Sequence, residues 1–266
     1  MQGVLLAVAL AGIVAGAVLL TLARVWWFPP LASNWGALDT MINVTVIVTG
    51  IAFIAVNLFI AYAVYKYRRR EGRRAFFLAD NPRLEWTLVW VTALGIVVLL
   101  APGLAYYARV ISPPRDALVV EVLAQQWLWS YRYPGRDGVL GRTDINRVSP
   151  TNPFGLDPED PAGKDDVLAF AQPLRLPVGQ PVLLRLRAID VLHSFYIPEF
   201  RVKMDAVPGM VTQMWFTPTR VGTYQVVCAE FCGIGHYNMF GQVLVMEAPE
   251  FEAWLRSQAT LAGSRP

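Results

Sequence analysis

Three long apolar stretches constrain this chain more than any other feature of its sequence. They cover residues 4–23, 41–65 and 87–108, and only isolated polar residues interrupt them. Each stretch has about the 20 residues that a helix needs to cross roughly 30 Å of hydrocarbon. Hydrophobic residues make up 55% of the 266 positions, which is too many for an ordinary soluble protein. The sequence therefore predicts a transmembrane anchor over residues 1–110, with three helices.

The short loop between the second and third stretches indicates how the anchor is oriented. It contains one acid, Glu71, among six basic residues: Lys66, Arg68, Arg69, Arg70, Arg73 and Arg74. Short loops rich in Lys and Arg stay in the cytoplasm. We interpret the basic cluster as this topology signal and predict no nucleic-acid partner. The C-terminal domain then lies on the periplasmic or outer face of a bacterial or archaeal cell membrane, and the protein is multi-pass.

The first apolar stretch has a second interpretation, as a signal peptide cleaved near the small residues at positions 15–17. No positive residue precedes the stretch, and it is longer than the roughly 7–15 residues of a signal-peptide core. These two features favour a retained helix.

Residues 115–266 are predicted to form an extracytoplasmic domain of β structure. Short β-rich runs separated by turn signals suggest an antiparallel sandwich or barrel. The predicted strands are 117–123, 126–133, 181–189, 213–217, 222–227 and 242–246. Apolar residues at helical spacing predict a short docked helix in the tail at 249–261. A polar insert at 134–171 carries five clustered acids, which we interpret as a solvated loop, with a docking patch for a basic cytochrome or a calcium site as alternatives. The five are Asp157, Glu159, Asp160, Asp165 and Asp166.

All the cysteine and histidine of the chain fall in one pattern. Cys228, Cys232 and His236 share a single loop with Met239, and His193 precedes them by 35 residues. Thiolate, imidazole and thioether together select copper over magnesium, calcium or manganese. Two thiolates four residues apart can bridge two metal ions, so paired copper is the favoured interpretation. A disulfide, a structural zinc site and a mononuclear blue copper site are the alternatives.

At this point the sequence resembles the copper A subunit of haem–copper oxidases, cytochrome c oxidase subunit II. The loop reads Cys-x-Glu-x-Cys-x3-His-x2-Met, and three further motifs occur in the family's order. They are Asp190-Val191-Leu192-His193-Ser194, Lys203-x-Asp205-Ala206-x-Pro208-Gly209 and Gln126-Trp127-x-Trp129-Ser130-Tyr131. The resemblance implies a membrane-anchored all-β protein, in which N-terminal transmembrane helices precede a cupredoxin-like β-sandwich.

The resemblance also implies a site. Cys228 and Cys232 would bridge the two coppers of a copper A centre, with His193 and Met239 completing one copper. His236 and the backbone carbonyl of Glu230 would complete the other. The Glu230 carboxylate would face a magnesium ion at the boundary with the catalytic subunit.

The implied function is that of the electron-entry subunit of a proton-translocating haem–copper terminal oxidase. The chain itself would catalyse no bond chemistry. It would accept electrons from cytochrome c and pass them to haem in the catalytic subunit I that reduces oxygen, in a complex with other oxidase subunits. Electrons would enter at Trp127, which the pattern alone equally allows to be a buried strand residue sharing a face with Trp129. Glu85 would lie at the mouth of a proton channel, although a solvated boundary acid is an equal alternative.

Two other functions remain open from the sequence. A copper A subunit of a nitric oxide reductase would carry the same ligands, because the active site lies in another subunit. A membrane-anchored copper store or chaperone is a hypothesis of a different class. It predicts fewer and more exposed ligands than this set offers.

Overall fold

The computed structural model describes residues 2–72, 74 and 80–261. Arg73 of the basic loop and the last five residues of the predicted outer domain lie outside the described residues. The chain divides into two compact units. One contains the three long helices. The other contains the β domain together with the segment Phe28–Gly36, which joins the first two helices along the chain.

The three long helices are α1 (Gln2–Ala23), α2 (Gly36–Lys66) and α3 (Pro82–Val110). All three are long and apolar enough to cross a membrane. Helix α3 begins as its sequence suggests, because Pro82 occupies the first turn and the Asn81 side chain accepts a hydrogen bond from Leu84 N (3.2 Å). The apolar side chains are exposed all round each helix, as expected of helices surrounded by lipid.

The β domain is a sandwich of two five-stranded sheets. The first has the order β3-β2-β1-β5-β8 and the second the order β4-β10-β9-β6-β7. The pairs β1–β5 and β4–β10 are parallel, and the other pairs are antiparallel. The strands are β1 (Leu118–Gln125), β2 (Leu128–Tyr133), β3 (Val167–Phe170), β4 (Leu174–Pro177), β5 (Val182–Ala188), β6 (His193–Ile197), β7 (Val202–Ala206), β8 (Thr212–Phe216), β9 (Gly222–Cys228) and β10 (Phe240–Met246).

Alternating side chains build the core between the sheets. Leu184 and Leu186 of β5 are fully buried, whereas Arg185 between them is exposed. On β6, Phe195 and Ile197 are fully buried on the same face as His193. The periodicity that packs the core therefore also directs His193 into the interior at the end of β6.

The tail forms helix α4 (Ala248–Ser257), which confirms the predicted docked helix. Phe251 is buried, and Trp254 packs on Tyr133 with ring centroids 5.1 Å apart. The Arg175 guanidinium lies 4.9 Å from the centre of the Trp254 ring, which adds a cation–π contact. This packing fixes α4 against β2 and β4.

The insert covers the outer face of the first sheet. Phe154 and Leu156 of the insert form a buried cluster with Leu123 of β1. The final residues of the predicted insert are not loop but strand β3, which pairs with β2. Because the insert covers the outer face of the first sheet, strand β1 is buried on both of its faces.

Candidate metal centre

Two sheet strands and one loop position the predicted ligands. Cys228 ends β9 and Met239 immediately precedes β10, so the loop between them leaves and rejoins adjacent antiparallel strands. Its base is closed by a hydrogen bond from Cys228 N to Met239 O (3.2 Å). Ala229 N donates to Ser194 O (2.9 Å), which ties the loop to β6 beside His193. The fold thus brings the distant histidine to the cysteine loop.

The side chains of all five predicted ligands converge at one end of the sandwich. The ligand atoms of His193, Cys228 and Cys232 lie within 4.8 Å of one another, and the two Sγ atoms are 3.7 Å apart. Cys232 Sγ is 3.6 Å from His236 Nδ1 and 3.7 Å from Met239 Sδ. His193 Nδ1 is 3.2 Å from Met239 Sδ. His193, Cys232 and Met239 are almost completely buried.

This donor set fits copper better than the alternatives. The two sulfurs are too far apart for a disulfide, whose S–S bond is about 2.05 Å. Burial, followed by the neighbouring Cys228 thiol, raises the pKa of Cys232 to about 11. The Cys232 thiol therefore keeps its proton at neutral pH until a cation replaces it, and metal binding must release protons. A structural zinc site would leave the buried Met239 sulfur without a purpose.

The Glu230 backbone also faces the cluster. Its carbonyl oxygen lies 3.2 Å from Cys228 Sγ. The residue is half-buried, with its neighbour Phe231 largely exposed. A carbonyl so close to a cysteine sulfur can serve as a ligand to the same metal as that sulfur.

A carboxylate stands behind His193. Asp190 Oδ1 is 2.9 Å from His193 Nε2, and Asp190 Oδ2 accepts a hydrogen bond from Gln126 N (2.6 Å). Partial burial raises the pKa of Asp190, but the hydrogen bonds from His193, Gln126 N and Val191 N outweigh it and hold the pKa below its usual range. Asp190 is therefore ionised at neutral pH. The sequence analysis noted this residue only as part of a motif.

Trp127 lies in the turn between β1 and β2, against the cysteine loop. Its indole N–H donates to Cys232 O (3.1 Å), and the Gln126 side chain donates to the same oxygen (2.9 Å). The residue as a whole is 38% exposed. A Cβ on Gly235 would lie 2.3 Å from Trp127 Cδ2, so only glycine lets the loop pass this close to the ring. Trp127 thus connects the surface to a residue of the cluster.

The predicted relation between Trp127 and Trp129 is wrong. Trp129 is buried in β2, where its ring packs edge-on against Phe195 (centroids 4.9 Å apart) and His193 (6.1 Å). The two tryptophans differ in exposure because Trp127 precedes the strand and lies in the turn. The period-two rule applies only within a strand.

Four of the five predicted acids of the insert bind backbone N–H groups or arginines, whereas Glu159 is exposed. Asp160 accepts hydrogen bonds from Arg142 N (2.6 Å) and Ala162 N, and these bonds lower its pKa. The Arg142 guanidinium lies 3.4 Å from both Asp157 and Asp160. Asp165 accepts from Arg136 N (2.5 Å). Such paired carboxylates favour neither the docking patch nor the calcium site, and they stabilise the insert itself.

The fourth paired acid, Asp166, is completely buried beneath the insert. Its Oδ2 accepts from Arg132 Nη1 (2.7 Å) and from Gly141 N (3.1 Å). Arg132 also binds Glu121 Oε2 (2.5 Å), whose other oxygen is 2.6 Å from Arg187 Nε. This buried ion network joins the insert to β1, β2 and β5 and holds the first sheet under it.

Glu85 belongs to the helical unit. It lies in the first turn of α3, with its backbone N–H donating to Asn81 O (3.0 Å), and the following Trp86 is exposed.

Known proteins resemble this chain over most of its length. The family described as cytochrome c oxidase subunit II, periplasmic domain, matches residues 118–247. The alternative cytochrome c oxidase subunit 2 of Bradyrhizobium diazoefficiens is 49% identical over 94% of this chain and 91% of the relative. The cytochrome c oxidase subunit 2 of Cereibacter sphaeroides is 32% identical over 85% of this chain and 76% of the relative.

Among solved structures, the periplasmic domain of cytochrome oxidase subunit II of Bradyrhizobium japonicum is similar to 55% of this chain and 96% of that domain. The identity is 27% and the TM-score 0.42. The family match and the cluster of histidine and cysteine side chains together suggest that the chain binds copper A. The apolar helices indicate a membrane anchor for a periplasmic domain. Two relatives above 30% identity are matched over more than two thirds of their length, and this chain therefore belongs to the cytochrome c oxidase subunit II family. It is the subunit through which electrons enter a haem–copper oxidase, where it works with the other subunits of that oxidase.

Proposed function

We propose that this chain accepts electrons from a cytochrome c and delivers them, through a copper A centre of two copper ions, to haem in the catalytic subunit. The observation that carries the proposal is the convergence of five soft or imidazole donors, with successive donor atoms only 3.2–3.7 Å apart. In this proposal the chain transfers electrons, and the bond chemistry of oxygen reduction takes place in the catalytic subunit.

The donor positions suggest how two copper ions would be held. Cys228 and Cys232 would bridge both ions, because their sulfurs lie side by side at the centre of the cluster. His193 and Met239 are 3.2 Å apart and would complete one ion. His236, next to Cys232, would complete the other ion together with the carbonyl of Glu230.

A copper A centre of this kind supplies a one-electron relay in which the charge change is spread over two metals and two sulfurs. The protein's part is to hold the donors rigid. Two adjacent strands fix both ends of the cysteine loop, and β6 fixes His193. Burial excludes water from Cys232 and Met239. Ligand type, burial and outer hydrogen bonds are the means by which a protein tunes such a site.

Burial of the donors also argues against a copper store or chaperone. Delivery by ligand exchange requires that an incoming ligand reach the metal. No more than 2% of the surface of each of three donors, His193, Cys232 and Met239, is exposed to solvent. Such donors suit an ion that stays in place while only electrons move.

We propose Trp127 as the point where electrons enter. The ring combines surface exposure with a direct hydrogen bond to the Cys232 carbonyl, so a donor haem edge stacked on the ring is one hydrogen bond away from a cysteine ligand. Loss of the Trp127 ring should slow the reduction of copper by the cytochrome more than it changes the copper site itself.

Three further assignments complete the proposal. The Glu230 carboxylate would bind magnesium where the β domain meets the catalytic subunit, and Glu85 would stand at a proton-channel mouth of a proton-translocating oxidase. All three helices would span the membrane. In support, α1 packs antiparallel to α2: a Cβ on Gly3 would lie 3.1 Å from Arg68 Cβ and 3.3 Å from Val64 O.

Reduction of the copper-loaded full chain in detergent by a reduced cytochrome c tests the proposal. The proposed function predicts rapid, stoichiometric oxidation of the cytochrome by the chain, absent in Cys232→Ser. Equal oxidation by wild type and by Cys232→Ser would contradict it. Asp160→Asn, which alters a carboxylate of the insert that binds Arg142 and Ala162, is the matched control.

A further inference from the structure

One carboxylate contacts both a predicted copper ligand and the turn that packs on the cysteine loop. Asp190 Oδ1 approaches the Nε2 of His193 at 2.9 Å, and Asp190 Oδ2 accepts the backbone N–H of Gln126 at 2.6 Å. A third bond, from Val191 N to Oδ1 (2.7 Å), fixes the rotamer of the carboxylate. Asp190 lies in the loop between β5 and β6, so it belongs to neither the cysteine loop nor the Trp127 turn.

The contact with His193 determines which ring nitrogen carries the proton. A neutral imidazole has one N–H and one lone pair, and an ionised carboxylate can only accept. His193 Nε2 must therefore donate to Asp190, which leaves the lone pair on Nδ1. Nδ1 is the nitrogen that faces Met239 Sδ and the sulfur cluster. A carboxylate behind a ligating histidine also fixes the orientation of the imidazole ring.

The contact with Gln126 continues to the cysteine side. Gln126 and Trp127 both donate their side-chain N–H groups to the carbonyl of Cys232, at 2.9 and 3.1 Å. The hydrogen bond from Gln126 N to Asp190 therefore fixes the turn that carries Gln126 and Trp127, whose side chains bind the cysteine loop. The contacts form a continuous path from His193 through Asp190 and the Gln126–Trp127 turn to Cys232.

We infer that Asp190 is a positioning residue that sets the tautomer and ring orientation of His193 and at the same time holds the Gln126–Trp127 turn against the cysteine loop. The inference rests on the proposed copper site and adds a residue to it. Asp190 acts through His193 and Gln126 and is not itself one of the predicted copper ligands. Because one group serves both, its loss changes the metal's properties and the uptake of electrons together.

The Asp190→Asn substitution separates this role from simple packing. The amide keeps the shape of the carboxylate but has one acceptor oxygen and one donor nitrogen. If the oxygen faces Gln126 N, the amide nitrogen faces His193 Nε2 and favours the tautomer with the proton on Nδ1. If the amide is flipped, two N–H groups oppose each other at Gln126. Asparagine can therefore satisfy one of the two contacts but not both.

Asp160→Asn is the matched control, because Asp160 also accepts two backbone N–H groups but lies in the insert. The full-length chain, wild type or variant, is purified in detergent and loaded with copper. Copper affinity by chelator competition, the reduction potential and the electron paramagnetic resonance spectrum are then measured. Circular dichroism of each metal-free chain checks the fold. Asp190→Ala, which lacks both contacts, is measured in parallel.

We expect both Asp190 variants to lose about 10–100-fold in copper affinity, the range typical for the loss of such an outer partner. We expect their reduction potential to shift, because the tautomer and orientation of the His193 ligand are no longer fixed. The control should match the wild type. Asp190 variants that keep the control's affinity, potential and spectrum would overturn the inference. A wild-type chain that fails to show a copper pair would instead overturn the proposed function on which it rests.

Discussion

Replacing Gly235 by alanine should displace Trp127 and slow the arrival of electrons without removing the copper ligands. The new Cβ would lie 2.3 Å from Trp127 Cδ2 and 2.7 Å from Cε2 and Cε3. Ordinary contact begins near 3.4 Å. The ring or the loop must therefore move by about 1 Å, and overpacking of this kind costs about 1–3 kcal/mol.

The displacement should also break the bond from the Trp127 N–H to Cys232 O. That bond is 3.1 Å long, so a further 1 Å takes it beyond hydrogen-bonding distance. Its loss contributes about 0.5–1.5 kcal/mol of the destabilisation. The route from the exposed ring to the cysteine ligand is interrupted, whereas the donor atoms of His193 and Met239 are not touched.

The assay is stopped-flow reduction of the copper absorption band by a reduced cytochrome c, with the variant in the assembled oxidase. Gly163→Ala is the matched control, because the Cβ added there would lie 3.4 Å from its nearest neighbour, in ordinary contact. We expect slower reduction in Gly235→Ala, an unchanged rate in the control and bound copper in both. A Gly235→Ala oxidase with the control's rate would refute the argument that the position of Trp127 governs electron uptake.

Three further predictions concern stability and the metal. Arg132→Ala leaves buried Glu121 and Asp166 without their shared partner. It should lower the unfolding free energy by about 3–5 kcal/mol, measured by denaturant unfolding of the chain in detergent. A loss below about 1 kcal/mol would contradict the stabilising role of the buried network. Burial, only partly offset by Arg132, raises the pKa of Asp166 to about 6, so the folded state holds this proton more tightly than the unfolded state. Wild-type stability relative to Asp166→Asn should therefore fall as the pH rises from about 4 to about 6, and a rise over that window would be the opposite result. Removing copper with a chelator should lower the melting temperature, since a ligand at 100 times its Kd stabilises by about 2.7 kcal/mol; Cys228→Ser should show no such shift.

The helices and the ligand set were predictable because their signals are local or chemically specific. An apolar run of some 20 residues has few alternatives to a membrane helix. Four of the five donors fall within one 12-residue loop, so their proximity follows from the chain itself. His193 was assigned to the same site by residue type, and the fold then supplied the reason, since β6 pairs with β9 beside Cys228.

Other features depend on contacts between distant segments and could not be predicted. Strands β3, β4, β6 and β7 have only four or five residues, too few for a periodicity to stand out. The turn position of Trp127 depends on where β1 ends. The roles of Asp166 and Asp190 depend on partners 34 and 64 residues away, Arg132 and Gln126.

The segment Phe28–Gly36 is a similar case. It lies between two apolar helices in the sequence, yet it packs into the β domain. Ala32 N donates to Glu199 O (2.8 Å), and Trp35 Nε1 donates to Trp215 O (2.9 Å). Its buried aromatic and alanine residues carry no periodic signal that would distinguish a docked segment from a linker.

The most direct test of the central claim is electron paramagnetic resonance, with copper quantification, on the purified full-length chain. Two copper ions per chain, with hyperfine splitting from two equivalent nuclei, are the predicted result and would establish a shared-electron pair held by Cys228 and Cys232. One copper ion per chain with splitting from a single nucleus, or zinc in place of copper, would contradict the account.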